Sequence, residues 1–478
     1  MTYNNHKFHI PVMGTGHSID TPIRVAHFGI SSVMSIVDDV LIDKICRHYS
    51  AKFNLQFTEI SKSDPYARSK RITQYLNAVS EIVAQKMDEI KKQPFFKEND
   101  KSKYFELLPD SCEQKQKYKM LLCSNDESEK QQISAELTNA MQAGSIDVNI
   151  MSKVDRTNYA KDGNILSEEF SDARAALRGF AESKLSSSVV FSAGFNRGLF
   201  GYISQFSDFY RNKSGELKKK IVIKVSDFRS ALIQGKFLAM KGLEVSEFRI
   251  ESGLNCGGHA FASQGYLLPA LLTEFRQNKN QLTEQLKPLI KSYYEKNGWY
   301  YPESALNEKP AITVQGGIGT SGEARRMIED FECDSTGWGS PFLLVPEATC
   351  VDEETFDLLK NAKKEDLYLS NSSPLGVPFN NLRNTGSEKW TKERAEKGTP
   401  GSACPKGFLI SNKEYTDKPI CTASRQFQAI KVDEISNQRI SDEEKDDLKN
   451  SVFEKICLCE HLGNGALISL GIVPKIKA

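Results

Sequence analysis

What most constrains the fold is an alternation of about seven or eight short β-branched runs with stretches of helical periodicity. Ile10–Val12 opens the series and runs into a glycine-containing turn that ends at Gly16. Ile30–Val37, Ile146–Met151, Ser187–Ser192, Lys219–Val225, Val245–Glu251 and Ile312–Val314 continue it, and a further segment ends at Gly337. Short runs that are apolar on both faces suit parallel strands covered by helices. The count predicts an α/β chain built as a (β/α)8 TIM barrel. Periodicity alone leaves an open sheet as the alternative.

Length and charge narrow the setting. A chain of 478 residues can bury one elaborated barrel or two to three domains. Lys and Arg number 63 against 62 Asp and Glu, so no electrostatic excess calls for nucleic acid or a membrane surface. No apolar run reaches the roughly 18 residues of a membrane span, and the first residues lack a signal-peptide core. The expectation is a cytoplasmic protein acting on a small molecule. Ten cysteines in so long a chain are too few for a disulfide scaffold, so they read as thiols or ligands.

Two regions depart from the alternation. Residues 94–139 are rich in lysine and glutamate and read as a helical insertion on the surface. After Val345 the pattern lapses, and Ser373 to Asn384 reads as a polar, proline-bearing loop. The expected organisation is a barrel over 1–384 with a cysteine-containing extension over 385–478.

Two glycine turns draw attention as a phosphate cradle. Gln315-Gly316-Gly317 follows one strand and precedes a helix, and Gly337-Trp338-Gly339-Ser340 follows the next segment. Such turns let backbone amides approach an anion, and the helix after the second would add its positive end. Ordinary tight connections are the plain alternative. His259 follows Gly257 and Gly258 at a strand end, where barrel enzymes keep reactive groups; the alternative is a packed loop histidine. Lys224 and Asn149 are polar residues within apolar runs, suited either to a cofactor edge or to structural hydrogen bonds. Cys404, Cys421, Cys457 and Cys459 fall in the last fifth of the chain. They match no common ligand spacing, and an iron–sulfur cluster, zinc, free thiols or a redox pair all stay open.

Several blocks taken in order resemble the nitronate monooxygenase family (2-nitropropane dioxygenases), FMN-dependent TIM barrels that include flavin enoyl reductases. IPVMGTGHSIDTPIRVAHFGISSVMSI is similar to that family's opening strand, helix and second strand. IDVNIM and VVFSAG resemble its next strands, and ESGLNCGGHAF its Gly-Gly-His turn. ITVQGGIGTSGEARRMIEDF and the Gly337 turn resemble its phosphate element, and SPLGVPFNNLRN the loop after it. The resemblance covers roughly Ile10 to Asn384.

It implies that Met13 and Gly14 lie against the flavin ring while Asn149 and Lys224 hold its edge. Gly258, Gly316, Gly317, Gly337, Gly339 and Ser340 would cradle the phosphate and ribityl chain. His259 would be the catalytic base of an FMN-dependent oxidoreductase. The cysteine-bearing tail is also similar in kind to the flavin and iron–sulfur barrel of glutamate synthase. Outside these classes stand a flavin-free phosphosugar isomerase or lyase and a non-catalytic metal-binding scaffold.

Overall fold

The computed structural model describes residues 6–152, 155–160, 162–192, 194–251, 268–376 and 378–474. Gly258 and His259, together with Cys256 and Gly257, lie outside the described residues.

Eight strands form the centre: β1 (Phe8–Ile10), β2 (Ser31–Ser35), β3 (Ile146–Ile150), β4 (Ser187–Phe191), β5 (Lys219–Val225), β6 (Val245–Glu251), β7 (Ala311–Gln315) and β8 (Ser335–Gly337). Each pairs in parallel with the next, and β8 closes on β1 through Phe8 opposite Thr336 and His9 opposite Gly337. The ring is closed, so the open-sheet alternative falls and the chain is a TIM barrel. The first strand lies slightly earlier than the sequence suggests, at Phe8–Ile10, with Val12 to Gly14 already in the turn above it.

Strand alternation explains the two sides of the wall. Val148, Ile150, Phe191, Ile223, Phe248, Ile250, Ile312 and Val314 point outward into the main core beneath the helices. Each large side chain so buried contributes about 1.5–3 kcal/mol. Facing inward, Val12, Val33, Val190 and Val222 make a small apolar plug. Above and beside it the lumen is polar: His9, Asp147, Asn149, Lys224, Glu247, Arg249, Glu251, Thr313 and Gln315 are all buried.

Between β2 and β3 the long helix Ala67–Lys92 leads into three shorter ones, Asp100–Glu106, Glu113–Cys123 and Glu127–Ala140. They pack around Tyr104, Phe105, Tyr118, Leu121 and Leu137 as a satellite core, so the expected helical insertion is present. Beyond β8, the stretch read as a polar loop contains a strand, Phe379–Leu382, antiparallel to Leu367–Ser370. Its two asparagines carry little strand preference; pairing with the neighbouring strand supplies what local propensity lacks.

The chain after residue 385 lies back over the barrel. Helix Leu458–Ser469 sends Ala466 and Leu467 into the main core. It approaches the β1 turn so closely that a Cβ on Gly16 would sit 2.1 Å from the Leu462 carbonyl oxygen. Lys406 ties the two parts together, its Nζ lying 2.7 Å from Asp38 Oδ2 and 3.1 Å from the Cys459 carbonyl. Among the described residues, no helix is long and apolar enough to cross a membrane.

Candidate functional site

At the C-terminal ends of β1 to β5, under the returning extension, lies a cavity of about 1030 Å³. This is the face on which barrels of this kind carry their chemistry. Its floor and walls are polar, with Thr15, Ser35, Asn149, Ser152, Ser192 and Lys224 among them. Its roof is apolar and comes from the extension and the segment before it: Leu375, Phe408, Leu409, Leu458 and Leu462, with Cys459 at its edge.

The floor is wired to the lumen. Lys224 Nζ donates to Glu251 Oε1 at 3.2 Å, and Gln315 Nε2 donates to the same oxygen at 2.9 Å. The remaining amide oxygen of Gln315 accepts from His9 Nε2 at 3.0 Å, which fixes the proton of His9 on that nitrogen. Burial, helped by the Arg249 charge, lowers the pKa of His9 to about 3, so the imidazole stays neutral. Below it Arg249 Nε donates to Glu247 Oε1 at 2.6 Å and a guanidinium nitrogen lies 3.6 Å from Asp147. Burial pushes Asp147 up to about 6 against the pull of Arg249. Among the described residues that line the cavity, two side-chain oxygens have no part in such bonding. The Asn149 Oδ1 and Thr15 Oγ1 atoms are buried, line the cavity and have no hydrogen-bond partner. Each such atom costs about 1–3 kcal/mol unless something in the cavity satisfies it.

The glycine turns occupy the other side of the mouth, and they are differently employed. Gly316 and Gly317 hold φ of +86° and +71°, which glycine tolerates and which turns β7 towards its helix. That helix, Ser321–Glu329, is capped from within: the amides of Gly319 and Thr320 donate to Glu323 Oε2 at 2.8 and 2.9 Å. These bonds hold the Glu323 carboxyl below the usual carboxylate range. The anion position at this helix end therefore already holds a carboxylate. The second turn departs from expectation too. It leads into a 3-10 turn of 5 residues, Ser340–Leu344, too short to present much of a dipole. Gly337 is glycine for packing, since a Cβ there would meet Gln315 Cβ at 2.6 Å and His9 Nε2 at 2.7 Å.

Of the residues singled out in the sequence, Gly14, Asn149 and Lys224 line the cavity. Gly316, Gly317, Gly337, Gly339 and Ser340 do not line it. Met13 does not either; it packs with Ile10, Val25 and Phe342 on the far side of the β1 turn. Gly258 and His259 lie outside the described residues. Cys404, Cys421, Cys457 and Cys459 come together in one small cluster with Phe408 and Leu409. Among the described residues, no three His, Cys, Asp or Glu side chains are gathered so as to hold a metal ion. Sequence reasoning missed Glu251 and Gln315, although the alternation in VSEFRIE and AITVQ puts Glu247, Arg249, Glu251, Thr313 and Gln315 on one face. It also missed the roof, because nothing local to Phe408 or Leu462 tells that they fold over a mouth formed hundreds of residues earlier.

Compared with protein-family models and with curated proteins, the chain matches none.

Proposed function

We propose that this chain is an FMN-dependent oxidoreductase of the nitronate monooxygenase type. The observation that carries the reading is the cavity's division into a polar floor with two unpartnered buried oxygens and an apolar roof. A planar ring system with one hydrogen-bonding edge matches that division. The volume suits a cofactor ring together with a small substrate, at the upper end of ordinary ligand pockets. A small phosphosugar would leave the Leu375, Phe408 and Leu462 roof without contact, which speaks against the flavin-free isomerase or lyase.

Asn149 offers both an acceptor and donors to the ring edge, and Thr15 a hydroxyl. Lys224 supplies positive charge from below, tempered by Glu251. When bound, FMN supplies the electron sink for oxidation of the substrate. The chain's own part is to hold the ring edge, exclude water with Phe408, Leu409 and Leu462, and remove a substrate proton. That last role falls to His259 by its resemblance to the Gly-Gly-His turn.

The test is a variant. His259→Ala is expected to keep its flavin and lose nitronate-dependent flavin reduction by about 10²–10⁴-fold, read by stopped-flow absorbance. Unchanged turnover would remove His259 from the mechanism.

A further inference from the structure

The charge around the cavity is one-sided. Among the described residues that line it, Lys224 and Arg197 are cations, and no aspartate or glutamate stands with them. The charge of Lys224 is already met, because this side chain is buried in the floor and bonded to Glu251. Arg197 is placed differently, exposed at the rim in the segment that follows β4.

What this guanidinium lacks is a counter-ion. Arg68 and Arg156, packed against the ring of Phe408 in the roof, pair with Asp39 and Asp172, and Lys406 pairs with Asp38. Among the described residues, Arg197 has no such carboxylate partner. It lies instead over the Phe195 ring, 5.4 Å from its centroid. Phe195 is fixed in turn by Phe200 and Phe237, at 5.6 and 5.1 Å between ring centroids. A guanidinium held over a ring is oriented while its N–H donors stay available to an anion.

The neighbouring strand β5 leads to Ser226 and Ser230, which also line the cavity. The Ser230 hydroxyl accepts from Gln234 Nε2 at 2.8 Å, so its own proton is left to donate. Asp227, between the two serines, does not line the cavity; its Oδ1 accepts from the Ser230 amide at 2.6 Å and caps the helix that follows. The rim thus offers a cation and a hydroxyl, while Met151, Leu375, Leu458 and Leu462 give the cavity apolar walls.

We propose that the substrate of this cavity carries a carboxylate, received by Arg197 at the β4–β5 rim, on an apolar body held under the roof. The planar guanidinium presents paired donors that match a carboxylate's two oxygens. Because Arg197 is exposed, its partner reaches it from solvent and can leave again, as a substrate must at each turnover. Arg197 is then a specificity residue that acts on binding and not on the chemical step. The proposal rests on the flavin reading of the same cavity.

The test measures FMN content first and then compares two substrates of one shape, the nitronates of 6-nitrohexanoate and of its uncharged amide. In the unaltered chain kcat/KM is expected to favour the acid by at least about tenfold. Arg197→Gln is expected to keep FMN and to cut that preference below about twofold, through KM and not kcat. Arg197→Lys is expected to keep an intermediate preference, since an ammonium holds the charge without the paired donors. Equal kcat/KM for acid and amide in the unaltered chain would overturn the proposal. So would an Arg197→Gln variant that loses FMN and keeps its preference, which would give the guanidinium to the cofactor's phosphate. Protein that takes up no FMN would overturn the flavin reading alone, and calorimetric titration with hexanoate then decides the rim site. Hexanoate binding that Arg197→Gln weakens at least about fivefold supports it, and absent or equal binding overturns it.

Discussion

Both sides of the barrel mouth draw attention in the sequence, and they differ in what their polar groups still need. On the β7–β8 side, glycine turns precede a helix and suggest an anion site, yet Glu323 already accepts from the Gly319 and Thr320 amides. On the β1–β5 side the signals are single polar residues within apolar runs, yet Asn149 and Thr15 there keep buried oxygens with no partner. Turn composition reports where a backbone can bend. Ligand demand is reported by groups that the fold has not satisfied.

The largest expected effect lies under the β1–β5 side. Lys224→Ala leaves Glu251 buried with Gln315 alone and is expected to cost about 3–5 kcal/mol in urea unfolding. Lys224→Met combined with Glu251→Gln is expected to recover most of that loss. A cost under about 1 kcal/mol for Lys224→Ala would mean that the floor is not held by this pair.

Next comes acidity. His9 is neutral in the folded chain with a pKa near 3, whereas unfolded histidine takes a proton near 6.5. Stability from His9 is therefore complete above that value and is lost as the pH falls towards 3, by on the order of 5 kcal/mol. Asp147 works the other way: its pKa, raised to about 6, gives stability that is full at low pH and lost as the pH rises through 6. His9→Gln is expected to flatten the acid limb of the stability profile and leave the Asp147 contribution in place. An unchanged acid limb would show that the imidazole is not buried neutral.

The smallest effects on stability separate the two sides directly. Glu323→Ala removes a capping box and is expected to cost about 1 kcal/mol while leaving FMN affinity unchanged. Asn149→Ala removes a side chain whose oxygen has no protein partner; it is expected to shift stability by less than about 1 kcal/mol. The same change is expected to weaken FMN at least about tenfold, the worth of one well-made hydrogen bond in a dry site. The reverse pattern would move the cofactor to the glycine side.

Much of this architecture is legible in the sequence. The barrel can be read from runs such as KKIVIKV and IDVNIM, whose alternation sorts Ile223 to the helices and Lys224 to the lumen. The helical insertion can be read from composition. Asn149 and Lys224 stand out because a polar residue in an apolar strand must face something. Met13 cannot be placed that way, because the β1 turn swings it towards Phe342, and that is settled by packing with a segment over three hundred residues away. The self-capping of Ser321–Glu329 is readable in Thr320 and Glu323, a capping pair three residues apart, and competes with the phosphate reading of the same turn. The convergence of the four cysteines is not readable, since their spacing matches no motif and only the folding of the extension over the mouth gathers them.

The central claim is that the β1–β5 cavity receives a flavin. Its most direct test is a fluorescence titration of FMN into the apoprotein, repeated with Asn149→Ala. Stoichiometric quenching at micromolar FMN or below, weakened in the variant, is the predicted result. Free FMN fluorescence at every concentration, with a protein that stays colourless, would contradict it.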